Sequence, residues 1–543
     1  MTKAAPRPAP WWQGAVVYQI YPRSFCDADG DGVGDLKGIA SKLDYISSLG
    51  VEAIWLSPIH PTPNRDFGYD VADFDAVAPE MGTLETFDAL IAEAHRRGLK
   101  VIMDEVLSHT SDLHPWFQES LKSREGDKAD WYVWADPRED GTPPNNWLSV
   151  FGGPAWSYHP ARRQYYFHKF LKQQPKLNLY NPDARKAALD VLRFWLDRGV
   201  DGFRLDVANS YLHDAALRDN PAVPMAERTA HHWGHAPNLQ RRTRDSNLPE
   251  NREVLDEIRA LVDRYGDRFV FGEFSEEPGL LGHFAGRDHG LHTGYTFTFL
   301  EDRSFRPRVF ADHYAFLGAI DGLWPCVTMS NHDVPRTVTR YGRTLEANPA
   351  LARLALTLLM TLKGTVLLYQ GEELGLPDGP IERHQIRDPV GELYFPFSKG
   401  RDPCRTPMPW VSGKPNLGFS YGEPWLPMAP AHGPLAAANQ ERDQASTLQF
   451  TRSLVTLRKA HPVLRMGEIS MLEASDQVLA FERVSAPSRA LCVFNLSRSP
   501  ATTTCAPDGL ATILEIGAVA RAGGQLNLGP HSAIILEGRA AGA

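Results

Sequence analysis

Val200-Asp201-Gly202-Phe203-Arg204-Leu205-Asp206 is a short apolar run that ends in an arginine and a carboxylate two residues apart. Read as a strand, its side chains alternate between faces, so Arg204 and Asp206 share one. A cation within ~4–6 Å lowers a carboxylate pKa by about 1–3 units, and the expectation is that Arg204 holds Asp206 ionised at neutral pH. Directly upstream, Asn181 reads as a helix cap and Pro182 as its first position. Ala188, Val191, Leu192 and Trp195 form its apolar face, and Gly199 is its stop. A capped helix feeding a buried strand is the repeating unit of a parallel sheet.

The same alternation extends in both directions. Ala15–Tyr21 reads as a first strand, followed by Leu36, Ile39, Leu43 and Ile46 at helical spacing up to Gly50. Glu52–Ser57 and Lys100–Asp104 are strands flanking a helix through Leu84, Phe87, Leu90 and Ala94 that stops at Gly98. Downstream strands are expected at 269–273, 295–299, 326–330 and 365–369, with helices near 250–265, 347–363 and 445–460. Eight strands alternating with helices predict an α/β fold, a (β/α)8 TIM barrel whose functional groups lie at the C-terminal strand ends. The first part of the barrel spans 1–105 and the second 178–460. Residues 106–177, rich in Trp, Tyr and Pro, read as an inserted subdomain after strand 3, and 371–435 as a lid-like loop. Beyond 461 the helical period gives way to short strand-like runs separated by turns, a C-terminal antiparallel β-sandwich over 461–543.

Composition narrows the function. Among 543 residues, 57 Lys and Arg against 66 Asp and Glu give a formal charge of −9 without a long basic cluster, which disfavours nucleic acid and anionic membranes as partners. No apolar run approaches the ~18 residues of a membrane span and the N-terminus shows no signal-like apolar core, so a cytoplasmic protein is expected. Five scattered cysteines do not form a disulfide framework or a zinc-like spacing. Oligomeric state is not legible.

Three acids end three strand-like runs: Asp206, Glu273 after Phe269-Val270-Phe271-Gly272, and Asp333 after Ser330-Asn331-His332. Singly, each is more often an ion-pair or loop residue; together in a barrel they are what glycoside chemistry needs. In Asp27-Ala28-Asp29-Gly30-Asp31-Gly32-Val33-Gly34-Asp35, carboxylates recur at alternate positions with turn-forming glycines. Hard-cation binding is the physical reason to tolerate such crowding, although the EF-hand pattern is incomplete because its twelfth position is Gly38.

Asp104-Glu105-Val106-Leu107-Ser108-His109, Gln174-Pro175-Lys176-Leu177-Asn178, Gly202–Asp206, Gly272-Glu273 and Ser330–Asp333 occur in a family's order. The chain resembles the α-amylase clan of glycoside hydrolases, glycoside hydrolase family 13, and within it the oligo-1,6-glucosidase and α-glucosidase branch. The resemblance implies a retaining exo-acting α-glucosidase that releases the terminal glucosyl unit of short α-glucosides such as sucrose, maltose or isomaltose, with transglucosylation as a side reaction. A dedicated glucosyltransferase or sucrose isomerase is the alternative, and a non-catalytic transporter-associated relative is a remote one. It implies Asp206 as nucleophile, Glu273 as acid/base with its pKa raised towards roughly 6, and Asp333 as the third carboxylate. His109 and His332 would donate to sugar hydroxyls, Tyr69 and Asp66 would line the terminal-glucose subsite, and Arg204 would support the nucleophile. Arg405, in Arg401–Trp410, would reach back to Asp66. The metal loop resembles the family's calcium or magnesium site, with Asp27, Asp29, Asp31, the Val33 carbonyl and Asp35 as ligands; no organic cofactor is expected. Departures are Ser108 where Asn is common and Lys176 where Asp is usual. Val207 resembles α-1,6-cleaving members. His231, His232 and His235 lie in the loop expected to meet the aglycone.

Overall fold

The computed structural model describes residues 9–228, 235–275, 278–505 and 509–540; His231 and His232 lie outside them. Strands β1 (Val16–Ile20) and β2 (Ala53–Leu56) are buried throughout, and β3 (Lys100–Glu105) is buried except at Lys100. Strands covered on both faces appear as unbroken apolar runs, which is why periodicity alone locates them. The single helix expected from Leu36 to Ile46 is instead two, Leu36–Ser41 and Leu43–Ser48, because Lys42 turns to φ −109°, ψ 5°. All four apolar positions are nevertheless buried, so the spacing reported which face is covered rather than a continuous helix. The next helix, Leu84–Arg96, starts at Thr83, whose side chain accepts the Thr86 N–H, and ends ahead of Gly98 at φ +74°.

Between β3 and the helix Pro182–Asp197 the chain forms a helix, Pro115–Lys122, and a small antiparallel sheet. Its strands, β4 (Trp134–Ala135), β5 (Trp156–His159) and β6 (Gln164–Phe167), run in the order β4-β6-β5 around a core containing Trp147, Trp156 and Phe167. Bridges from His109 to Lys176 and from Tyr132 to Leu177 return the end of this segment to its beginning.

The remaining barrel strands are β7 (Gly202–Leu205), β8 (Phe269–Phe274), β9 (Thr293–Thr296), β10 (Cys326–Val327) and β11 (Thr365–Tyr369). The eight strands are ordered β10-β11-β1-β2-β3-β7-β8-β9, their recorded pairings are all parallel, and β9 and β10 face each other across the seam of a nearly closed barrel. Two strands are shorter than expected. After Thr296 the chain turns into a helix, Thr298–Glu301, burying Phe299 and Leu300 in the core. After Val327 the backbone leaves the ladder, and Thr328 Oγ1 donates to the Ser330 carbonyl at 2.7 Å. In both places residues read as strand belong to the rim of the barrel.

After β11 the long connection folds back over the β1 loop. Met408 N–H donates to Ser24 O at 2.9 Å and Trp410 Nε1 to Phe25 O at 2.7 Å. The C-terminal part contains β12 (Glu468–Ala474), β13 (Val478–Ser485), β14 (Ser488–Asn495), β15 (Ala501–Thr503), β16 (Ala511–Ile516), β17 (Val519–Ala522), β18 (Gln525–Leu528) and β19 (Ser532–Arg539). They make antiparallel sheets ordered β12-β13-β14-β19-β16 and β15-β18-β17. Alternation sorts β13: Val478 and Ala480 face the second sheet, whereas Leu479 and Phe481 join the barrel core. Among the described residues, no helix is long and apolar enough to cross a membrane.

Candidate active site

Parallel registration brings the strand-end residues together. Asp104 pairs with Arg204, Leu205 with Gly272, and Glu273 with Tyr295. Arg204 is fully buried at the centre. Its Nη1 donates to Asp104 Oδ1 at 2.7 Å and Asp206 Oδ1 at 2.9 Å, while its Nη2 donates to the Tyr295 hydroxyl at 3.0 Å and lies 2.8 Å from Glu273 Oε1. Trp55 supports the guanidinium, its ring centroid 5.3 Å away.

Three carboxylates thus share one cation. Burial pushes Asp206 well above the ordinary carboxylate range; Arg204 opposes this, but Glu273, Asp104 and Asp333 add to it. Asp104 rises to about 6, again through burial against the pull of Arg204. The expectation that Arg204 keeps Asp206 ionised is therefore corrected for the free site. One guanidinium is divided among three acids, and at Asp206 burial and the neighbouring carboxylates outweigh it. Next in the chain, Val207 sits in the left-handed region at φ +37°, ψ +49°. A β-branched residue is held there at a cost of about 1–3 kcal/mol. Its N–H points to Glu273 Oε2 at 3.3 Å.

A second charged centre comes from the connection after β11. Arg401 Nη2 donates to Asp66 Oδ1 and Asp388 Oδ1, each at 2.6 Å, and its Nη1 lies 3.4 Å from Asp333 Oδ1. Arg405 donates from Nε to His332 O at 2.7 Å and from Nη2 to Asp333 Oδ1 at 2.9 Å. The reach to Asp66 expected of Arg405 is therefore made by Arg401. The two flank one turn of the helix Asp402–Arg405, so they share a face at different depths, with Arg405 fully buried over Tyr21. Burial would raise Asp333, but the Arg401 and Arg405 guanidiniums, with Arg204 beyond them, outweigh it and hold it well below the usual range. At Asp66 the balance reverses: burial outweighs Arg401 and leaves its pKa raised.

The two histidines differ from expectation. Gln19 Nε2 lies 2.9 Å from His332 Nδ1, which places the proton on Nε2, 2.6 Å from the Tyr69 hydroxyl; that hydroxyl in turn donates to Asp104 Oδ2 at 3.0 Å. His109 Nε2 meets Tyr69 O at 2.9 Å, and its Nδ1 meets Ser108 Oγ at 2.6 Å. Burial drives His332 well below its ordinary pKa and His109 down to about 3, so both are neutral. Their nitrogens hold Tyr69 and its neighbours in place, and Ser108 supplies the bond to His109. Gln174 Nε2 also donates to Asp66 Oδ2 at 3.0 Å.

These groups line a cavity of about 520 Å³. Its lining includes Asp66, Tyr69, His109, Phe151 and Arg401, the carboxylates Asp206, Glu273 and Asp333, and, from the segments after β7 and β9, Val207, Phe297, Thr298 and Glu301. Sequence reasoning missed Arg401 and Asp388 as functional groups. Arg401 stood in the quoted motif; Asp388 carried no signal beyond preceding Pro389 at a helix start. His235 does line the cavity.

In the loop after β1, carboxylate oxygens of Asp27, Asp29 and Asp35 lie within 4.8 Å of one another. Gly30 and Gly32 turn the loop at φ +88° and +93°. Three converging carboxylates are the hard donors that calcium or magnesium takes. Asp31, expected as a ligand, is outside this group; its Oδ1 accepts the Val33 N–H at 2.7 Å.

The model of the α-amylase catalytic domain matches residues 19–467. The chain belongs to the α-amylase family of glycoside hydrolases. Within it, this family member falls in the α-glucosidase branch. It is 50% identical over 501 residues to a probable α-glucosidase of Rhizobium meliloti (strain 1021), covering 91% of this chain and 90% of that protein. It is 35% identical over 528 residues to an oligo-1,6-glucosidase of Heyndrickxia coagulans, covering 90% and 92%. The crystal structure of the α-glucosyl transfer enzyme XgtA superposes with a TM-score of 0.94 at 47% identity, covering 98% of this chain and all of that one.

Proposed function

We propose that this glycoside hydrolase is an exo-acting, retaining α-glucosidase on short α-glucosides. The observation that carries the reading is the juxtaposition of Asp206 and Glu273 on one guanidinium, in a cavity also lined by the ion-paired cluster of Asp66, Arg401 and Asp333. The charged donors and acceptors of that cluster suit the far hydroxyls of a terminal glucose, with Tyr69 against the ring. Asp206 attacks the anomeric carbon as Glu273 gives its proton to the departing oxygen, forming a covalent glucosyl-enzyme. Glu273 then takes a proton from water, which breaks the ester and restores Asp206. Asp333, held ionised by its arginines, favours positive charge on the ring in both steps. Asp27, Asp29 and Asp35 would hold a structural cation that braces the β1 loop.

Glucosyl transfer is the second reading, favoured by the 47% identity to XgtA and by the largely apolar rim at Val207 and Phe297. Initial rates and products on equal sucrose, maltose and isomaltose decide between them. Free glucose matching substrate loss supports hydrolysis. Glucosylated acceptor or rearranged disaccharide without matching glucose moves the assignment to transfer or isomerisation.

A further inference from the structure

The recorded pairing of β7 with β8 ends at Leu205 and Gly272, one residue short of both Asp206 and Glu273. The ladder alone therefore does not fix the distance between the two acids, which a retaining reaction needs at about 5–5.5 Å. Asp206 has its own anchors: its N–H donates to Glu105 O at 3.0 Å, and its carboxylate accepts from Arg204. Glu273 is held mainly through Oε1, which lies 2.8 Å from Arg204 Nη2 and accepts from the Tyr295 hydroxyl at 3.2 Å. Oε2, the oxygen left to carry a proton, faces the Val207 N–H.

The turn that carries Val207 is tied to β8 by Asn209. This residue is 1% exposed and takes no part in the cavity wall. Its two amide protons go to Ser275 O, just beyond β8, and to Asn247 Oδ1, each at 2.8 Å. Asn247 N–H donates back to Asn209 O at 2.8 Å, and its Nδ2 donates to Arg242 O at 3.3 Å. Val207, Arg242 and Ser275 all line the catalytic cavity, so one buried amide joins three parts of its wall. The orientation of that amide is fixed by its neighbours. The Ser275 carbonyl can only accept, and the Arg242 carbonyl turns Asn247 so that its Oδ1 faces Asn209. Asn209 Oδ1 has no hydrogen-bond partner among the described residues, so the side chain serves as a double donor. Asn251 braces the same turn from the helix Asn251–Asp263. It accepts from the Tyr211 and Leu212 N–H groups at 2.9 and 3.0 Å and donates to Ala208 O at 2.7 Å, but none of these bonds reaches β8.

We propose that Asn209 is a positioning residue for the reaction: by tying the turn after β7 to the end of β8, it sets Glu273 against the bond that Asp206 attacks. This rests on the assignment of Asp206 as nucleophile and Glu273 as acid. A misplacement of about 1 Å between reacting groups costs about 10²-fold, and here it falls on proton delivery.

The test compares two leaving groups in the full chain. One substrate is the disaccharide that is cleaved among sucrose, maltose and isomaltose, whose departing oxygen needs the proton of Glu273. The other is 4-nitrophenyl α-D-glucopyranoside, whose phenolate leaves with little help. The quantity is kcat/KM, which extends only to the covalent glucosyl-enzyme, and its ratio between substrates is independent of the fraction of folded enzyme. Asn209→Ala should lower it about 30-fold or more on the disaccharide and less than about fivefold on the aryl glucoside, with little change in KM. Equal losses on both substrates, the mark of a merely structural role, or no loss on either, overturn the proposal. Glu273→Gln is the reference and should show the same contrast more strongly. If it shows none, the acid assignment fails and this inference falls with it; contrast in Glu273→Gln alone sinks only the role of Asn209. If Asn209→Ala does not fold, Asn209→Ser decides, since its hydroxyl sits one bond nearer the backbone and has one proton for two acceptors.

Discussion

The two charged centres of the active site are built from the same residue types in opposite proportion. Around Arg204, Asp104, Asp206 and Glu273 share one cation. Around Arg401 and Arg405, Asp66, Asp333 and Asp388 share two. Burial outweighs the neighbouring guanidiniums at Asp206, Asp104 and Asp66, whereas at Asp333 and Asp388 the guanidiniums beside them outweigh burial. Asp206 and Asp104 go up; Asp333 and Asp388 go down. The second centre presents fixed negative charge at Asp333 and Asp388, while Asp66 on the same arginine is raised like Asp206 and Asp104. Their supports differ too, since the first sits on barrel strands in ladder register and the second on a short helix of a long connection. The acidic loop after β1 is the limiting case: among the described residues no arginine or lysine pairs with Asp27, Asp29 or Asp35, and backbone N–H groups take their oxygens.

The comparison breaks most sharply at Asp206. Asp206→Asn should lower kcat by at least about 10⁴-fold, yet leave the thermal midpoint equal or higher, because it removes a carboxylate from a group short of cations. Residual turnover near wild type would remove Asp206 as nucleophile, and a large fall in midpoint would show that Arg204 is not over-subscribed.

The two arginines of the second centre should separate stability from binding. Arg405→Met strands Asp333 in a buried setting and should cost about 3–5 kcal/mol of stability in urea titrations. Arg401→Met, at the cavity wall, should act mainly through KM, lowering kcat/KM about 30- to 4,000-fold, the equivalent of about 2–5 kcal/mol, with a smaller change in stability. Equal effects of the two on KM and on midpoint would merge the roles.

Opposite pKa shifts predict opposite pH dependence. Asp104, raised to about 6, contributes stability that is complete below the unfolded value of about 3.9 and is lost as pH rises through about 6. Asp333, lowered, contributes stability present above about 3.9 and lost as pH falls through its depressed folded value. Urea midpoints should therefore show Asp104→Asn gaining most over wild type above pH 7 and losing that advantage near pH 4. Asp333→Asn should be less stable than wild type at pH 7, with the gap closing in strong acid. Parallel profiles would mean that one balance governs both centres. The smallest effect is expected at the arginine-free loop, where chelation should lower the melting temperature by about 1 °C, about 1 kcal/mol. Asp29→Ala should reproduce the fall and abolish the response to chelator, and an unchanged midpoint would leave that loop without a cation.

Much of this was legible without coordinates, because burial and turning are local demands. Strands covered on both faces must be apolar runs, helices between them must show a periodic apolar face, and Asn181-Pro182 and Gly199 must begin and end one, so the barrel follows from pattern. The acids at strand ends were visible only together: singly each reads as an ion-pair or loop residue, and their joint occurrence at the ends of barrel strands marks the site. Where the chain leaves the ladder, as at Phe297 and after Val327, local preference did not reveal it, since rim residues are chosen by what they face across space.

The tertiary structure alone decided the electrostatics. Sequence placed Arg204 two residues from Asp206, and its effect on that acid depended on how many other carboxylates the β3 and β8 strands brought to the same guanidinium. Sequence also placed Arg401 and Arg405 one helical turn apart, and which of them reaches Asp66 depended on how the connection folds over the barrel mouth. Pairing along a strand is written in alternation; competition for a shared cation between strands distant in sequence is not, because Coulomb energies depend on distances that only packing sets.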